Sequence, residues 1–256
     1  MIVQLQNPVL EVHDLMVSYS GKPALWGVDF TLPKGSVTGI IGPNGSGKST
    51  LLKSIMGLVP LTSGYVRIFG EPLNNVRHRV SYVPQRESVD WDFPVSALDV
   101  VMMGQYAQIG VLGKIRQSHR DFAKECLDQV GMADFAKRQI SQLSGGQQQR
   151  VFIARALAQK ADIYLMDEPF AGVDAATQDA IITLLRNMVK EGKNVVVVHH
   201  DLDTITDYFD WLVMLNMRLV ASGPVDQVFI PELLKQTYGT RLSVLAEAGD
   251  LLARKF

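Results

Sequence analysis

Residues 42–49 read GPNGSGKS, and that spacing of glycines, lysine and serine serves one chemistry well: holding a chain of phosphates. A loop that wraps its N–H groups round an anion needs close backbone approach, which Gly42, Gly45 and Gly47 allow. The start of a following helix adds partial positive charge. Lys48 suits the β and γ phosphates, and the Ser49 hydroxyl suits a magnesium ion. A second set of groups stands in IYLMDEP, residues 163–169. Asp167 ends an apolar run and can face a magnesium shell, while Glu168, pointing elsewhere, suits a general base acting on water. A third stretch, LSGGQQQR at 143–150, reads like half of another phosphate loop, with Ser144, Gly145 and Gly146 ahead of a helix-forming run. One nucleotide has one set of phosphates, so the second cradle needs a separate explanation.

The context of these residues is alternating strand and helix. VTGII precedes the first glycine loop and TLLKSIM follows it, the order a phosphate loop requires. Short runs rich in Val, Ile and Thr at 9–19, 27–42, 65–70 and 79–84 predict strands joined by tight turns. From Ser96 the texture turns helical, and Phe122, Cys126 and Val130 fall four apart on one apolar face. Beyond lie the strand 163–169, a helix from about Thr177 to Lys190, and strands at 194–201 and 211–216. Strand, helix, strand predicts a parallel sheet. The stretches FIPELLKQTYG and LSVLAEAGDLLARKF near the end are helical in pattern and carry no chemical motif.

Charge and composition narrow the partners. The 256 residues are 47% hydrophobic, enough for a sizeable core. Lys and Arg number 25 against 26 Asp and Glu, a net charge of -1 that gives no electrostatic case for nucleic acid. Cys126, the only cysteine, cannot form an intrachain disulfide and reads as a small buried hydrophobe. The start, MIVQLQNPVLEVHD, lacks the pattern of a secretory signal. The apolar runs at 195–198 and 211–220 fall short of the ~20 residues that cross a bilayer. No internal repeat is visible. His199 and His200 are adjacent on a strand, where side chains alternate faces, so one ion does not gather both; one suits a phosphate and the other the core.

In this order the motifs resemble the ATP-binding cassette ATPases, over residues 9 to 225. On that resemblance Tyr19 is the adenine-stacking aromatic, GPNGSGKS the Walker A loop, Gln85 in SYVPQR the Q-loop, LSGGQ the signature, IYLMDE Walker B, AGVD at 171–174 the D-loop and His200 the switch histidine. AGVD stands where SALD is commoner, which keeps Asp174 in place. The resemblance implies an α/β fold: a P-loop NTPase (RecA-like) core, an antiparallel β subdomain and an inserted α-helical signature subdomain at about 87–158. The ATPase domain would span 1–225 and a C-terminal helical tail 226–256. ATP would be bound by Tyr19, Gly42, Pro43, Asn44, Gly45, Ser46, Gly47, Lys48, Ser49 and Thr50, and across a dimer by Ser144, Gly145, Gly146, Gln147 and Asp174. Mg2+ would be shared by Ser49, Gln85 and Asp167, with Glu168, His200 and Gln85 as the catalytic set.

The resemblance also accounts for the second cradle. In the family LSGGQ closes over the γ-phosphate held by a second copy, so two ATP molecules lie between two chains. The implied partners are that second copy, an integral membrane permease and, indirectly, an extracytoplasmic metal-binding protein, with no nucleic acid. The implied location is the cytoplasmic face of the membrane. A DNA-repair type would need a long coiled coil before the signature, and a translation-factor type two cassettes in one chain. The stretches VPQRESVDWDFPVSALDVVMMG, FAGVDAAT and VVVVHHDLDTITDYFDWLVMLN look most like the branch importing manganese, zinc or iron. An iron-siderophore or cobalamin importer and a stand-alone cassette remain the alternatives. Trp91, Phe93 and Pro94 predict an apolar docking loop for the permease, and Met102 and Met103 predict helix core.

Overall fold

The computed structural model describes residues 3, 5–89, 91–110 and 113–239. In chain order the strands are β1 (Leu10–Tyr19), β2 (Lys22–Leu32), β3 (Val37–Ile41), β4 (Ser63–Ile68) and β5 (Glu71–Pro72). They continue with β6 (Val80–Val83), β7 (Ile163–Asp167), β8 (Asn194–Val198), β9 (Trp211–Asn216) and β10 (Arg218–Pro224). The longer helices are α1 (Lys48–Ile55), α2 (Ala97–Met103), α3 (Gln117–Gln129), α4 (Gly145–Ala158), α5 (Ala175–Lys190) and α6 (Pro231–Tyr238). Two compact units result, one from residues 1–77 with 194–256 and one from 78–193.

The first unit holds two sheets. β2, β1, β4 and β5 pair antiparallel, and β1 alternates buried and open residues until Asp14, where a register shift interrupts the ladder. One face of this sheet is therefore core and the other solvated. The other sheet runs β10, β9, β3, β8, with β3 parallel to both β8 and β9. VTGII and NVVVV are buried at every position, because a parallel strand covered on both faces reads as a continuous apolar run. α1 packs with Leu51, Leu52 and Ile55 fully buried. The second unit pairs β6 parallel to β7 and carries α2, α3, α4 and α5. Cys126 is buried on α3 beside Leu127, as its helical spacing predicts, and burial pushes its thiol up to about 12.

Several expectations need correction. β10 returns antiparallel from β9, whereas the sequence suggested one strand ending at 216. The turn lacks glycine: Met217 takes the left-handed region at φ 57°, so no turn signal announces it. α5 begins at Ala175, two residues before the expected Thr177, because Asp174 caps it. Met102 is core, but Met103 is 36% exposed on the outer side of α2. The helical expectation for 240–256 lies outside the described residues, while FIPELLKQTYG does contain α6.

Candidate active site

The glycine loop leaves the C-terminal end of β3 and enters α1 at Lys48. Gly47 sits at φ 97°, and a Cβ there would lie 2.5 Å from Leu25 Cδ2 and 2.9 Å from the Ala24 carbonyl oxygen, so no other residue fits. No side chain caps the start of α1 and no acidic residue stands in its first turn. Its N-terminal partial positive charge is thus left for an anion from outside. Lys48 is 94% buried; its Nζ donates to the Gly42 carbonyl at 2.8 Å and the Pro43 carbonyl at 3.1 Å. The loop therefore folds its own cation across its mouth, where a phosphate would take over those bonds. Asn44 and Gly45 are exposed at the tip, the Ser46 side chain is buried, and Ser49 and Thr50 are half-buried in the first helical turn. Tyr19 ends β1 with 47% of its surface exposed, an aromatic face open to stacking.

In the second unit, β7 delivers two acids into different surroundings. Asp167 is fully buried at the strand end. Its charge, after burial itself, raises the Tyr82 phenol well above its ordinary value. Glu168 follows at φ 53°, a left-handed conformation that costs a non-glycine residue on the order of 1 kcal/mol. Glu168 accepts a 3.3 Å hydrogen bond from Gln85 Nε2. The Q-loop amide and the proposed base are thus brought together, which sequence spacing alone does not reveal. The donor set proposed for a metal, the Ser49 hydroxyl, the Gln85 amide oxygen and the Asp167 carboxylate, is entirely hard oxygen and fits Mg2+.

β8 ends at Val198, short of the expected 201, so both histidines lie just beyond the strand, one buried and the other exposed. His199 is 97% buried, its Nε2 hydrogen-bonds Thr204 Oγ1 at 2.8 Å, and burial lowers its pKa to about 4 despite the nearby Asp201. It is a neutral core residue. His200 is exposed.

The signature forms the start of α4. Ser144 Oγ accepts from the Gln147 N–H at 3.3 Å, and Gln147 Oε1 accepts from the Ser144 N–H at 3.0 Å, a capping box in full. Gly146 is not required by its own chain, since a Cβ there would meet nothing nearer than 3.6 Å. A glycine that internal packing leaves unexplained is consistent with close approach by something else. Asp174 caps α5, accepting from the Thr177 N–H at 3.0 Å and hydroxyl at 2.9 Å, and those bonds hold its carboxyl below the usual range.

The aromatic loop after Gln85 splits in two. Trp91 is half-buried, not an open docking group: its Nε1 donates to the Arg86 carbonyl at 2.8 Å and its ring lies 4.8 Å from Phe152 of α4. Arg86 Nε in turn donates to Gln148 Oε1 at 3.0 Å. Phe93 is 58% exposed and Pro94 is exposed beside it; Asp90 lies outside the described residues. Arg86 and Phe152 were invisible in the sequence because their contacts join segments more than sixty residues apart.

A protein-family profile described as ABC transporter matches residues 25–171. The chain is 57% identical over 238 residues to the manganese transport system ATP-binding protein MntB of Bacillus subtilis, covering 93% of this chain and 95% of that one. It is 54% identical over 234 residues to the zinc transport system ATP-binding protein TroB of Treponema pallidum, covering 91% and 88%. Among solved structures, an inward-facing ABC transporter of metal-chelate type aligns with TM-score 0.79 at 28% identity, over 90% of this chain and 89% of that one. A dimeric ATP-binding cassette in a post-hydrolysis state with ADP and phosphate aligns with TM-score 0.74 at 30% identity, over 84% and 98%. The fold class expected from the motifs, a P-loop NTPase core with an antiparallel β subdomain and a helical insertion, agrees with these neighbours. A phosphate loop after a buried parallel strand, a capped signature helix and matches of this extent have one common explanation: the chain belongs to the ABC transporter ATP-binding family.

Proposed function

We propose that this chain is the ATP-hydrolysing subunit of an importer for a divalent transition-metal cation, manganese or zinc before iron, working beneath a separate membrane permease. The observation that carries the cargo is its likeness to the manganese and zinc systems over nine-tenths of the chain. The ATPase never touches the ion, so no side chain argues for one metal over another. In this reading the ATPase domain is 1–225, with a helical insert at about 87–158 and a tail at 226–256. Among the described residues no helix is long and apolar enough to cross a membrane, in keeping with a peripheral subunit at the cytoplasmic face. An extracytoplasmic binding protein would deliver the metal to the permease.

The chemistry follows from the residues. Tyr19 stacks on adenine, and the 42–50 loop binds the phosphates through Gly42, Pro43, Asn44, Gly45, Ser46, Gly47, Lys48, Ser49 and Thr50. Lys48 gives up its loop carbonyls to take the β and γ oxygens. Ser49, Gln85 and Asp167 would hold Mg2+, which when bound neutralises charge on the phosphates. Glu168, hydrogen-bonded by Gln85, accepts a proton from the attacking water while Gln85 and His200 orient it. A second copy contributes Ser144, Gly145, Gly146, Gln147 and Asp174, the capped helix start acting as a second anion cradle.

Deleting the gene and measuring cell-associated manganese, zinc and iron under limitation of each tests the cargo. Loss of manganese or zinc accumulation is expected. Normal levels of all three free ions with loss of chelate uptake would move the cassette to the metal-chelate type that its structural neighbour represents.

A further inference from the structure

The β9–β10 turn forms the floor of the phosphate loop. The Leu215 carbonyl occupies the space that a Cβ on Gly42 would need, and the same Cβ would lie 2.8 Å from Ser46 Oγ. Two residues on, the Met217 N–H donates to the Ser46 carbonyl at 2.8 Å, and the Met217 carbonyl accepts from the Trp26 N–H at 2.8 Å. Between them, Asn216 Nδ2 donates to the Thr237 carbonyl at 3.0 Å, fastening the floor to α6. α6 is itself anchored, with Leu234 and Thr237 fully buried. Its last residue, Tyr238, has a buried hydroxyl beside the Gly42 amide, with no fully formed hydrogen bond to a described residue.

We propose that Asn216 and Tyr238 are positioning residues for the phosphate loop, and that α6 is a brace holding Gly42 in its nucleotide-binding arrangement. The inference rests on reading residues 42–50 as the ATP phosphate site. Its logic is what Lys48 leaves behind. Lys48 bonds the Gly42 and Pro43 carbonyls and so helps hold the loop's first turn. When Lys48 turns to phosphate those bonds end, and the floor and brace are what still fix Gly42. A buried hydroxyl is costly to leave unbonded, so a small shift of the loop that lets Tyr238 accept from the Gly42 N–H is favoured. A loop fixed before the substrate arrives loses less freedom on binding.

The test uses the full-length chain with Mg-ATP. Tyr238→Phe, which keeps the ring, and Asn216→Ala, a change at an exposed residue, should each raise KM for ATP about threefold to tenfold, the loss of about one hydrogen bond. kcat at saturation should stay within about twofold, because neither residue meets the reacting atoms. Should Tyr238→Phe fail to fold, Asn216→Ala carries the test. Glu232→Ala, on the exposed side of the same helix, should leave KM unchanged. A lower melting temperature with wild-type KM in both variants, or an equal rise of KM in Glu232→Ala, overturns the brace. Lys48→Ala separates the premise: if it binds ATP as wild type does, the phosphate-site reading fails and the brace with it.

Discussion

Glu168 carries the account at the scale of single residues, because its backbone is strained and its neighbour is not. A carboxylate at φ 53°, bonded by Gln85 and one residue beyond a fully buried Asp167, is placed for a different task from Asp167. Glu168→Gln keeps shape and hydrogen bonding while removing the base, so kcat should fall about 10²- to 10⁴-fold with ATP still bound. Hydrolysis at the wild-type rate, measured by phosphate release, contradicts the assignment. Lys48→Ala should instead lose binding, read directly by equilibrium titration with ATP. His199 gives a pH signature. Its pKa falls from 6.5 to about 4 on burial, so the unfolded chain binds the extra proton between these values. Stability should therefore decline as pH falls from about 6.5 towards 4, by at most about 1.4 kcal/mol per pH unit from this group. His199→Gln should flatten that part of the melting-temperature profile; an unchanged slope means the proton is taken up elsewhere.

At the scale of elements, the sequence displayed whatever is local. β3, β7 and β8 are legible because strands buried on both faces are continuous apolar runs, and α4 because a helix-forming run follows Ser144, Gly145 and Gly146. The glycine loop is legible for the same reason: its chemistry lies within eight residues. What stayed hidden depends on contacts between distant segments. Trp91 looked like an exposed aromatic because nothing near it in sequence shows Phe152 or the Arg86 carbonyl waiting to pack against it. β10 was hidden by a turn made with Met217 in place of glycine, and the role of α6 by a tail without motifs. The loop's two aromatics should accordingly behave differently. Trp91→Ala removes stacking and a hydrogen bond, and should lower the stability of the isolated chain by about 3–5 kcal/mol or somewhat less, given its partial exposure. Phe93→Ala should leave stability and basal ATPase within error and weaken coupling to the permease in reconstituted vesicles. Equal destabilisation by the two variants, measured by denaturant titration, would show Phe93 to be packing as well.

On the scale of the whole molecule, the proposed function gives the two glycine-rich turns of one chain to two different nucleotides, held between two chains. The first turn has its own cation and helix start; the second is a capped helix end with an exposed serine and a glycine that its own chain does not need. On the proposed reading each is half of a site, so ATP should act as the adhesive between two copies, and only while its γ-phosphate remains. The measurement that bears most directly on this is the solution mass of the Glu168→Gln chain, with and without Mg-ATP, by light scattering. A monomer is expected without nucleotide, a dimer with ATP, and loss of that dimer in Glu168→Gln combined with Ser144→Arg. A dimer that forms without ATP, or that survives Ser144→Arg unchanged, would contradict the composite site.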